Sequence, residues 1–422
     1  MLPIYDKFFA TPETIIHKTT FGHIKACNER HNLQCQFTDN LYNPCSVFFY
    51  AGNRHDEHIS DELLNQVIDI VKGNKESILY LDTIIEDFVH FPFIIAINKL
   101  LDAGISSDKI KIITSYNPAE SFRAKFFNEK LLADCNKVGH KLREFGKYPQ
   151  VLNDLKNIEI FSYDGFSTSY VIHTNQNQPD LVSDFSFIKE RAFEKHFSLL
   201  QKNSRYLRKL FHAYFISKGY DKLSYYSWHN IGEDSNWEAK EEKALSMFNI
   251  PFDKEKFMKP VFFDNVDEPG GHDEWSVPSV VKNNCALPIV VETCNIRDEA
   301  DTLFVDSFFY KENYFLSEKT YKNFFYGLPF IHLGMPYIDM HLENMGYFTF
   351  RHLFEENKIP VIKNTDGILN DFNVLDNISK MSLDQLSNIL NNKKIIDQCK
   401  HNKKMLGRLL PLKNFLKQLD KY

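Results

Sequence analysis

The sequence predicts an α/β protein with two Rossmann-like domains that face each other across a cleft, followed by a helical C-terminal tail. Two observations predict this fold. Short, continuously apolar runs alternate with helical patterns, which is typical of parallel strands covered by helices on both faces. The alternation of strand and helix patterns stops after residue 166 and resumes further along the chain. The chain therefore contains two series of alternating strands and helices. We place the N-terminal domain at residues 1–185, the C-terminal domain at 186–380 and the tail at 381–422.

The first series contains four strand patterns and two helices. The strands are predicted at residues 45–52, 77–84, 109–116 and 158–166, and the helices at 59–73 and 92–104. In the first helix, Ser60 is a suitable N-cap and Gly73 a suitable end. Residues 166–190 lose the periodicity and are interpreted as a linker or an excursion from the fold.

A long helix is predicted at residues 187–218, and the second series follows it. Its strand patterns lie at residues 223–228, 287–294 and 330–334, and the series continues to residue 350. From Ser382 onward, apolar residues recur at helical spacing, which predicts the amphipathic tail.

Composition and charge disfavour several classes of protein. The formal net charge is −6, which argues against a protein that coats nucleic acid through bulk electrostatics. The 7 cysteines form no CxxC motif, as expected for reduced thiols. The chain has no apolar run long enough to span a membrane and begins with no signal-peptide pattern. The sequence therefore predicts a soluble cytoplasmic protein.

The strongest chemical signal lies in the segment YFLSEKTYKNFFYGLPFIHLGMP, residues 314–336. Ser317 is a suitable N-cap for a helix whose buried face is formed by Tyr321, Phe324 and Phe325 at helical spacing. A glycine and a proline end this helix before the next strand.

The first turn of this helix combines Glu318 with Lys319. A carboxylate suits the positive end of the helix dipole, and Lys322 lies one turn later, where it can form an exposed ion pair. A cation in the first turn opposes the dipole unless an anion is bound, and helix N-termini near a lysine are favourable phosphate sites. The residues alone therefore leave two interpretations open, a nucleotide-binding site and a solvated helix start.

This segment resembles the helix with the motif Ser/Thr-Glu-Lys in glycosyltransferases of the GT-B type, including the fucosyltransferase-like kind. The longer stretch at residues 289–350, from IVVETC through SEKTYKNFFYGLPFIHLGMP to LENMGYFTF, resembles a glycosyltransferase-like family of phages and large viruses. Ser317, Asn323 and the pair Tyr347-Phe348 depart from that family's Thr, Pro and Phe-Lys. The resemblance implies a metal-independent enzyme of GT-B architecture that needs no cofactor and uses a nucleotide-sugar donor.

The resemblance also implies a donor site of seven residues. Glu318 would hold the ribose hydroxyls, Lys319 would bind the diphosphate, and Ser317 would cap the helix whose amides face the phosphates. The other four residues would add charge near the diphosphate or line the same cleft: Arg205, Arg208, Glu292 and Thr293.

The acceptor hydroxyl of such an enzyme needs a general base, most often a carboxylate or a histidine from the opposite domain. Asp82, Glu86 and Asp164 lie at predicted strand ends of the first domain and are the candidates. Each can equally be a helix cap or a surface charge, so all three stay open. The loop with His55 and His58 is interpreted as a polar loop, and no metal site is predicted.

The leading functional hypothesis is a glycosyltransferase. Because the resemblance is to phage and viral proteins, the predicted acceptors are a hydroxymethylated DNA base, a glycan or a virion protein. A DNA acceptor would need a basic rim, which Lys and Arg side chains at residues 123–148 could provide. The alternative is a nucleotide-binding or structural protein of the same fold that has lost the chemistry.

Overall fold

The structure is a computed structural model. It describes residues 2–6, 19–31, 33, 35–40, 43–50, 61–82, 91–114, 157–177, 183–203, 206–231, 239–261, 276–292, 316–334, 337–356, 360 and 364–419. The chain divides into two compact units: unit 1 comprises Met1–Gln176 and Leu409–Tyr422, and unit 2 comprises Asn177–Arg408. Each unit is built on its own parallel sheet, so the predicted α/β class is confirmed.

Unit 1 contains a six-stranded sheet among its described residues. The strands are β1 (Ile4–Tyr5), β2 (Phe37–Thr38), β3 (Ser46–Tyr50), β4 (Ile78–Asp82), β5 (Ile110–Thr114) and β6 (Glu159–Ser162). Their order is β2-β1-β3-β4-β5-β6, and neighbouring strands are parallel. The helices that accompany them are α1 (Thr20–His31), α2 (Asp61–Gly73), α3 (Phe91–Asp102) and α4 (Gly165–Asn177).

The central strands of unit 1 are apolar on both faces. Phe49 of β3 and Leu81 of β4 are buried on one face, and Phe48 and Tyr80 stack on the other with 5.0 Å between ring centroids. Strands of this kind are continuous apolar runs in sequence, so the predicted strands β3, β4, β5 and β6 and the predicted helices α2 and α3 are confirmed. Strands β1 and β2 have two residues each, too few to show a period.

The interpretation of residues 166–190 as a linker is wrong for their first part, which belongs to α4. Tyr170, Val171 and Ile172 are consecutive in this helix and all are buried, together with the small polar side chains of Ser167 and Thr168. A helix buried on several sides has no apolar stripe of period 3.6, so the usual helical pattern was missing from the sequence.

Unit 2 contains a four-stranded sheet among its described residues. The strands are β7 (Lys195–Asn203), β8 (Ser224–Ile231), β9 (Cys285–Val291) and β10 (Ile331–Leu333), all parallel in the order β10-β9-β7-β8. The helices are α5 (Tyr206–Lys218), α6 (Ala239–Met247), α7 (Lys254–Met258), α8 (Ser279–Asn284), α9 (Glu318–Phe325), α10 (Ile338–Asn344), α11 (Asn364–Lys380), α12 (Leu383–Leu390) and α13 (Lys393–Gly407).

The long helix predicted at residues 187–218 is wrong in its first half, where the chain forms β7, and only α5 is helical. Strand β7 lies between β8 and β9, so it is central in the sheet. Its buried residues include the polar Ser198 and Gln201, which interrupt the apolar run that identifies the other central strands. Burial in the sheet overrides the local pattern here.

The tail is helical, as the sequence predicts, and its helices belong to different units. Helices α12 and α13 lie in unit 2, whereas α14 (Leu410–Leu419) belongs to unit 1. There Phe415 of α14 stacks on Tyr163 with 5.0 Å between the ring centroids. Across the described residues, no helix combines the length and the apolar character needed to cross a bilayer.

The strand order of unit 2 creates a point where the direction of winding reverses. The chain passes from β7 to β8 on one side and then places β9 and β10 on the other side of β7. Because all four strands are parallel, their carboxyl ends lie at one edge of the sheet. In open α/β sheets, ligands bind outside the carboxyl ends of the strands at such a reversal. The edge between β7 and β9 is therefore where a site is expected.

Candidate functional site

The helix with the Ser-Glu-Lys sequence begins as the sequence predicts. Ser317 has extended backbone angles, and its Oγ accepts a hydrogen bond from the backbone N–H of Lys319 at 3.3 Å. Tyr321, Phe324 and Phe325 are all buried, which confirms the predicted apolar face. Helix α9 is therefore fixed on the protein by three aromatic rings, and its first turn lies at the carboxyl edge of the sheet.

Gly327 ends α9 in a conformation that requires glycine. Its φ is +61°, in the left-handed region. A Cβ at this position would also lie 2.4 Å from Cδ1 of Ile188, which is closer than packing permits. The sharp end of the helix directs the chain straight into β10.

Glu292 lies directly beneath the start of α9. It follows β9, is only 1 % exposed, and both of its oxygens are engaged. Oε1 accepts hydrogen bonds from the Ser317 N–H at 2.9 Å and from the Thr320 hydroxyl at 2.6 Å, and Oε2 accepts one from the Ser317 hydroxyl at 2.6 Å. The structure therefore places this predicted site residue as a support that ties the first turn of α9 to the end of β9.

A chain of hydrogen bonds continues from Glu292 into the core. The Thr320 hydroxyl gives its one proton to Glu292, so its 2.8 Å contact with His332 Nε2 requires a proton on that nitrogen. His332 Nδ1 faces the Asp339 carboxylate at 3.7 Å. The local motif gave no sign of His332, because Thr320 and His332 meet only when β10 folds back beside β9.

Glu318 and Lys319 form the exposed side of the same turn. Lys319 Nζ lies 2.7 Å from Glu318 Oε1 and 3.1 Å from Ser317 Oγ, and both charged side chains are partly accessible. Burial raises the pKa of Glu318, but the charge and hydrogen bond of Lys319 and the charge of Lys322 outweigh it, so this pKa lies below its ordinary value. At neutral pH the turn therefore presents a carboxylate beside an ammonium group.

Arg208 lies at the same edge of the sheet. It is in the first turn of α5, is 6 % exposed, and its Nε donates to the carbonyl of Val291 at 3.4 Å. Val291 is the residue directly before Glu292, so the guanidinium is close to the end of β9. The other two predicted donor-site residues, Arg205 and Thr293, lie outside the described residues.

Two residues that sequence reasoning missed hold the end of β10 in place. Asp371 of α11 accepts a hydrogen bond from the Gly334 N–H at 2.7 Å and pairs with the Arg351 guanidinium. Arg351 also donates to the His332 carbonyl at 3.2 Å. Gly334 has a positive φ of +88°, and a Cβ at this position would lie 3.2 Å from Cδ1 of Leu207, so the turn lies close to the start of α5. Asp371 and Gly334 are 37 positions apart, which hides this contact from local patterns.

Two positions that depart from the family pattern have different surroundings. Tyr347 stacks on Phe324 with 4.3 Å between ring centroids, so its ring belongs to the core behind α9. Phe348 is 39 % exposed, and its backbone pairs with the side-chain amide of Asn402.

The candidate bases lie in unit 1. Asp82 ends β4, is fully buried, and its Oδ2 accepts a hydrogen bond from the Thr20 N–H at 2.6 Å, at the start of α1. Asp164 accepts a hydrogen bond from the Ser167 N–H at 3.3 Å and caps α4. Glu86, the third candidate, lies outside the described residues.

The remaining sequence predictions concern segments without a described structure. The loop with His55 and His58 and the basic segment 123–148 lie outside the described residues. Within the described ranges, no group of three or more His, Cys, Asp or Glu side chains could hold a metal ion. The cysteines described there, which are Cys27, Cys35, Cys45, Cys285 and Cys399, are free thiols.

Comparison of the chain with protein-family models, with curated proteins and with solved structures finds no match in any of the three. The geometry at the edge of the unit 2 sheet is therefore the basis on which a function is argued.

Proposed function

We propose that the protein is a glycosyltransferase of the GT-B type that binds a nucleotide-sugar donor at the carboxyl edge of the unit 2 sheet. The observation that carries the proposal is the first turn of α9, where ionised Glu318 and Lys319 stand side by side at the N-terminus of a firmly packed helix. This turn lies where parallel α/β sheets bind their ligands.

The groups in this turn match the parts of a nucleoside diphosphate. A carboxylate accepts two hydrogen bonds from a ribose diol, as Glu318 would do. The helix N-terminus and the ammonium group of Lys319 attract a diphosphate, and the Arg208 guanidinium at the end of β9 adds further positive charge. In sugar transfer the leaving group is this diphosphate, and such groups stabilise its developing charge without a metal ion.

The acceptor side of the reaction is proposed for unit 1. Asp82, Glu86 and Asp164 remain the candidates for the base that takes the proton of the acceptor hydroxyl. The proposed acceptor is a hydroxymethylated DNA base, with a glycan or a virion protein as the alternatives.

The test begins with thermal unfolding of the protein in the presence of UDP, GDP, CMP, ADP and dTDP, with and without Mg²⁺. A ligand at about 100 times its dissociation constant adds roughly 2.7 kcal/mol to the stability of the native state, which is readily measured. We expect one of these nucleotides to stabilise the protein equally with and without Mg²⁺. The enzyme should slowly hydrolyse the corresponding nucleotide-sugar, with water as the acceptor, to the free sugar and the free nucleotide, whereas a protein that only binds nucleotides would release none.

Glu318→Gln tests the site itself. The variant loses the charged acceptor for the ribose diol, so nucleotide affinity should fall about ten-fold or more. Glu255→Gln is the matched control, because Glu255 is an exposed carboxylate in the first turn of α7 and should leave affinity unchanged. Unchanged affinity of Glu318→Gln would show that the nucleotide binds elsewhere, and the absence of any nucleotide binding would remove the enzyme hypothesis.

A further inference from the structure

Gln201 is a buried polar residue without a hydrogen-bond partner among the described residues. It lies in the central strand β7 and is 5 % exposed. Neither its Oε1 nor its Nε2 has a hydrogen-bond partner in the part of the chain that the structure describes. Buried amide groups in proteins are nearly always hydrogen-bonded. An amide whose oxygen and nitrogen are both unpaired therefore indicates that its partner is a bound ligand.

The position of Gln201 follows from the contacts of its strand. Side chains alternate along a strand, so Gln201 shares the face of Phe197, whose ring packs on Phe215 of α5 with 5.7 Å between centroids. From Phe197 to Gln201 the strand advances about 13 Å, and a helix covers that distance in about nine residues. Nine residues before Phe215 in α5 is Tyr206, where the helix begins. Gln201 therefore lies beneath the N-terminus of α5.

Three groups follow one another along this edge of the sheet. Glu318 and Lys319 stand above the end of β9, where Glu292 holds their turn, and Arg208 reaches the carbonyl of Val291, the last residue of β9. Gln201 is on β7, the next strand, on the side away from β10. Neighbouring strands are about 4.8 Å apart, so this row spans one to two strand spacings, which suits a ligand that crosses from β9 to β7.

We propose that Gln201 is a specificity-determining residue that binds hydroxyl groups of the sugar carried by the donor. This inference rests on the proposed function. A nucleotide-sugar is a linear molecule of ribose, diphosphate and sugar. With the ribose on Glu318 and the diphosphate between Lys319 and Arg208, the sugar is the part that reaches β7.

The chemistry of an amide suits a sugar. Gln201 offers one acceptor oxygen and two N–H donors on neighbouring atoms, and a pair of adjacent sugar hydroxyls offers both a donor and an acceptor in return. The amide is enclosed by the protein, so a sugar that pairs with it must displace side chains at this edge as it enters. A sugar that lacks or inverts one of these hydroxyls leaves the amide half paired, which is how a buried polar group discriminates between ligands.

The experiment compares wild type with Gln201→Leu by calorimetric titration with UDP, UDP-glucose, GDP and GDP-mannose. We expect the affinity for the nucleoside diphosphate to stay within about two-fold, because its groups bind to α9, while the affinity for the nucleotide-sugar falls about ten-fold. The melting temperature should not fall, because the part of the chain with a described structure offers the amide no hydrogen bond to lose. Gln201→Met, also unbranched at Cβ and of similar length, replaces this variant if Leu prevents folding.

Gln398→Leu is the matched control, because Gln398 also has a buried Oε1 without a partner among the described residues but lies on helix α13 and not on β7. It should leave both affinities at their wild-type values. Equal loss of both affinities in Gln201→Leu, or loss of neither, would overturn the assignment of Gln201 while the nucleotide site stands. Failure of wild type to bind any nucleoside diphosphate would overturn the proposed function and this inference together.

Discussion

The hydroxyl of Ser317 connects the buried and the exposed sides of the candidate site. It donates to Glu292 Oε2 and accepts from both the backbone N–H and the ammonium group of Lys319. The Ser317 hydroxyl oxygen thus fixes both the backbone of the first turn and the position of the Lys319 ammonium group. Because Glu292 itself is fully engaged below, its influence on a ligand passes through Ser317 and Thr320.

Glu292→Gln tests this positioning role. A glutamine keeps one acceptor and puts N–H donors where the other oxygen was, so one of the three donors of Ser317 and Thr320 loses its acceptor. We expect a loss of about 1–3 kcal/mol in the free energy of unfolding. Nucleoside diphosphate affinity should fall as well, because Lys319 loses its fixed position; denaturant titration and calorimetry measure the two effects.

Glu194→Gln provides the comparison for that variant. Glu194 is exposed and accepts a hydrogen bond from the Tyr225 hydroxyl at 3.0 Å, so its substitution should change neither quantity appreciably. A Glu292→Gln protein of reduced stability but wild-type nucleotide affinity would mean that Glu292 supports the fold and has no influence on the ligand.

Local sequence was sufficient for some residues of the site and insufficient for others. Ser317 lies directly before an apolar helical pattern, so its role as N-cap could be predicted from spacing. The ligand-binding roles of Glu318 and Lys319 come from the family resemblance and stay predictions. Asp371 could not be predicted in this way because its partner Gly334 is distant in sequence. Gln201 could not because its burial without a partner among the described residues depends on the whole fold. The sequence pattern around Gln201 predicts a helix, so its place in a central strand shows only in the fold.

Helix α5, which carries Arg208 to the site, is held on the sheet by a buried neutral histidine. His212 Nε2 donates to the Phe257 carbonyl at 2.9 Å, and its Nδ1 accepts from the Tyr226 hydroxyl. The imidazole also stacks on the indole of Trp228, with 4.3 Å between centroids. Burial lowers the pKa of His212 to about 3, although the hydrogen bond to Phe257 opposes the shift, so the ring stays neutral in the folded protein.

Protonation of His212 should therefore destabilise the protein in acid. In the unfolded chain this histidine takes up a proton near its ordinary pKa of about 6.5, whereas the folded protein resists protonation down to about pH 3. The contribution is fully present above pH 6.5 and decreases by up to about 1.4 kcal/mol for each pH unit below it. Denaturant unfolding of wild type and His212→Gln from pH 4 to 8 measures it as the difference between the two pH profiles.

His352→Gln is the control for that comparison, because His352 is exposed in the short 3-10 turn Arg351–Leu353. Its pH profile should run parallel to that of wild type. If the profile of His212→Gln also ran parallel to wild type, the neutral histidine would have no part in the acid sensitivity of unit 2.

Elements with one buried face or with continuous apolar runs could be predicted, and elements with buried polar side chains could not. Strand β3 is evident from SVFFY, whereas β7 contains Ser198 and Gln201 among its buried residues, and its sequence pattern predicts a helix. Helix α4 was hidden in the same way by Ser167 and Thr168. In both elements, burial in the folded protein determined the structure and the local sequence pattern did not. In β7, one of the buried polar residues that obscure the strand pattern is Gln201, the residue with a proposed function.

At the scale of the whole molecule, the chain leaves unit 1 and later returns to it. Helix α14 packs its buried residues Leu412, Phe415 and Leu419 in unit 1, after the chain has formed all of unit 2. Phe415 contacts both Phe161 of β6 and Tyr163. The sequence predicts a helical tail correctly, but amphipathic periodicity does not specify which sheet a helix covers.

Phe415→Ala should therefore destabilise unit 1 and spare unit 2. Truncation of a buried phenylalanine costs about 3–5 kcal/mol. We expect faster hydrogen exchange in β4, β5 and β6, with unchanged exchange in β7 and β9 and unchanged nucleotide affinity. Lys413→Ala, an exposed change on the same helix, should alter none of these. An equal increase in hydrogen exchange in both sheets would show that α14 stabilises both units.

Translation finishes unit 2 before unit 1. Domains ordinarily fold in the order in which they leave the ribosome, with the N-terminal one first. Here the strands of unit 1 are synthesised early. Phe415, which contacts the rings of Phe161 and Tyr163, is synthesised only after every residue of unit 2. Because Phe161 and Tyr163 gain their contacts with Phe415 only once α14 is available, we expect unit 1 to complete its packing after every strand of unit 2 has been synthesised.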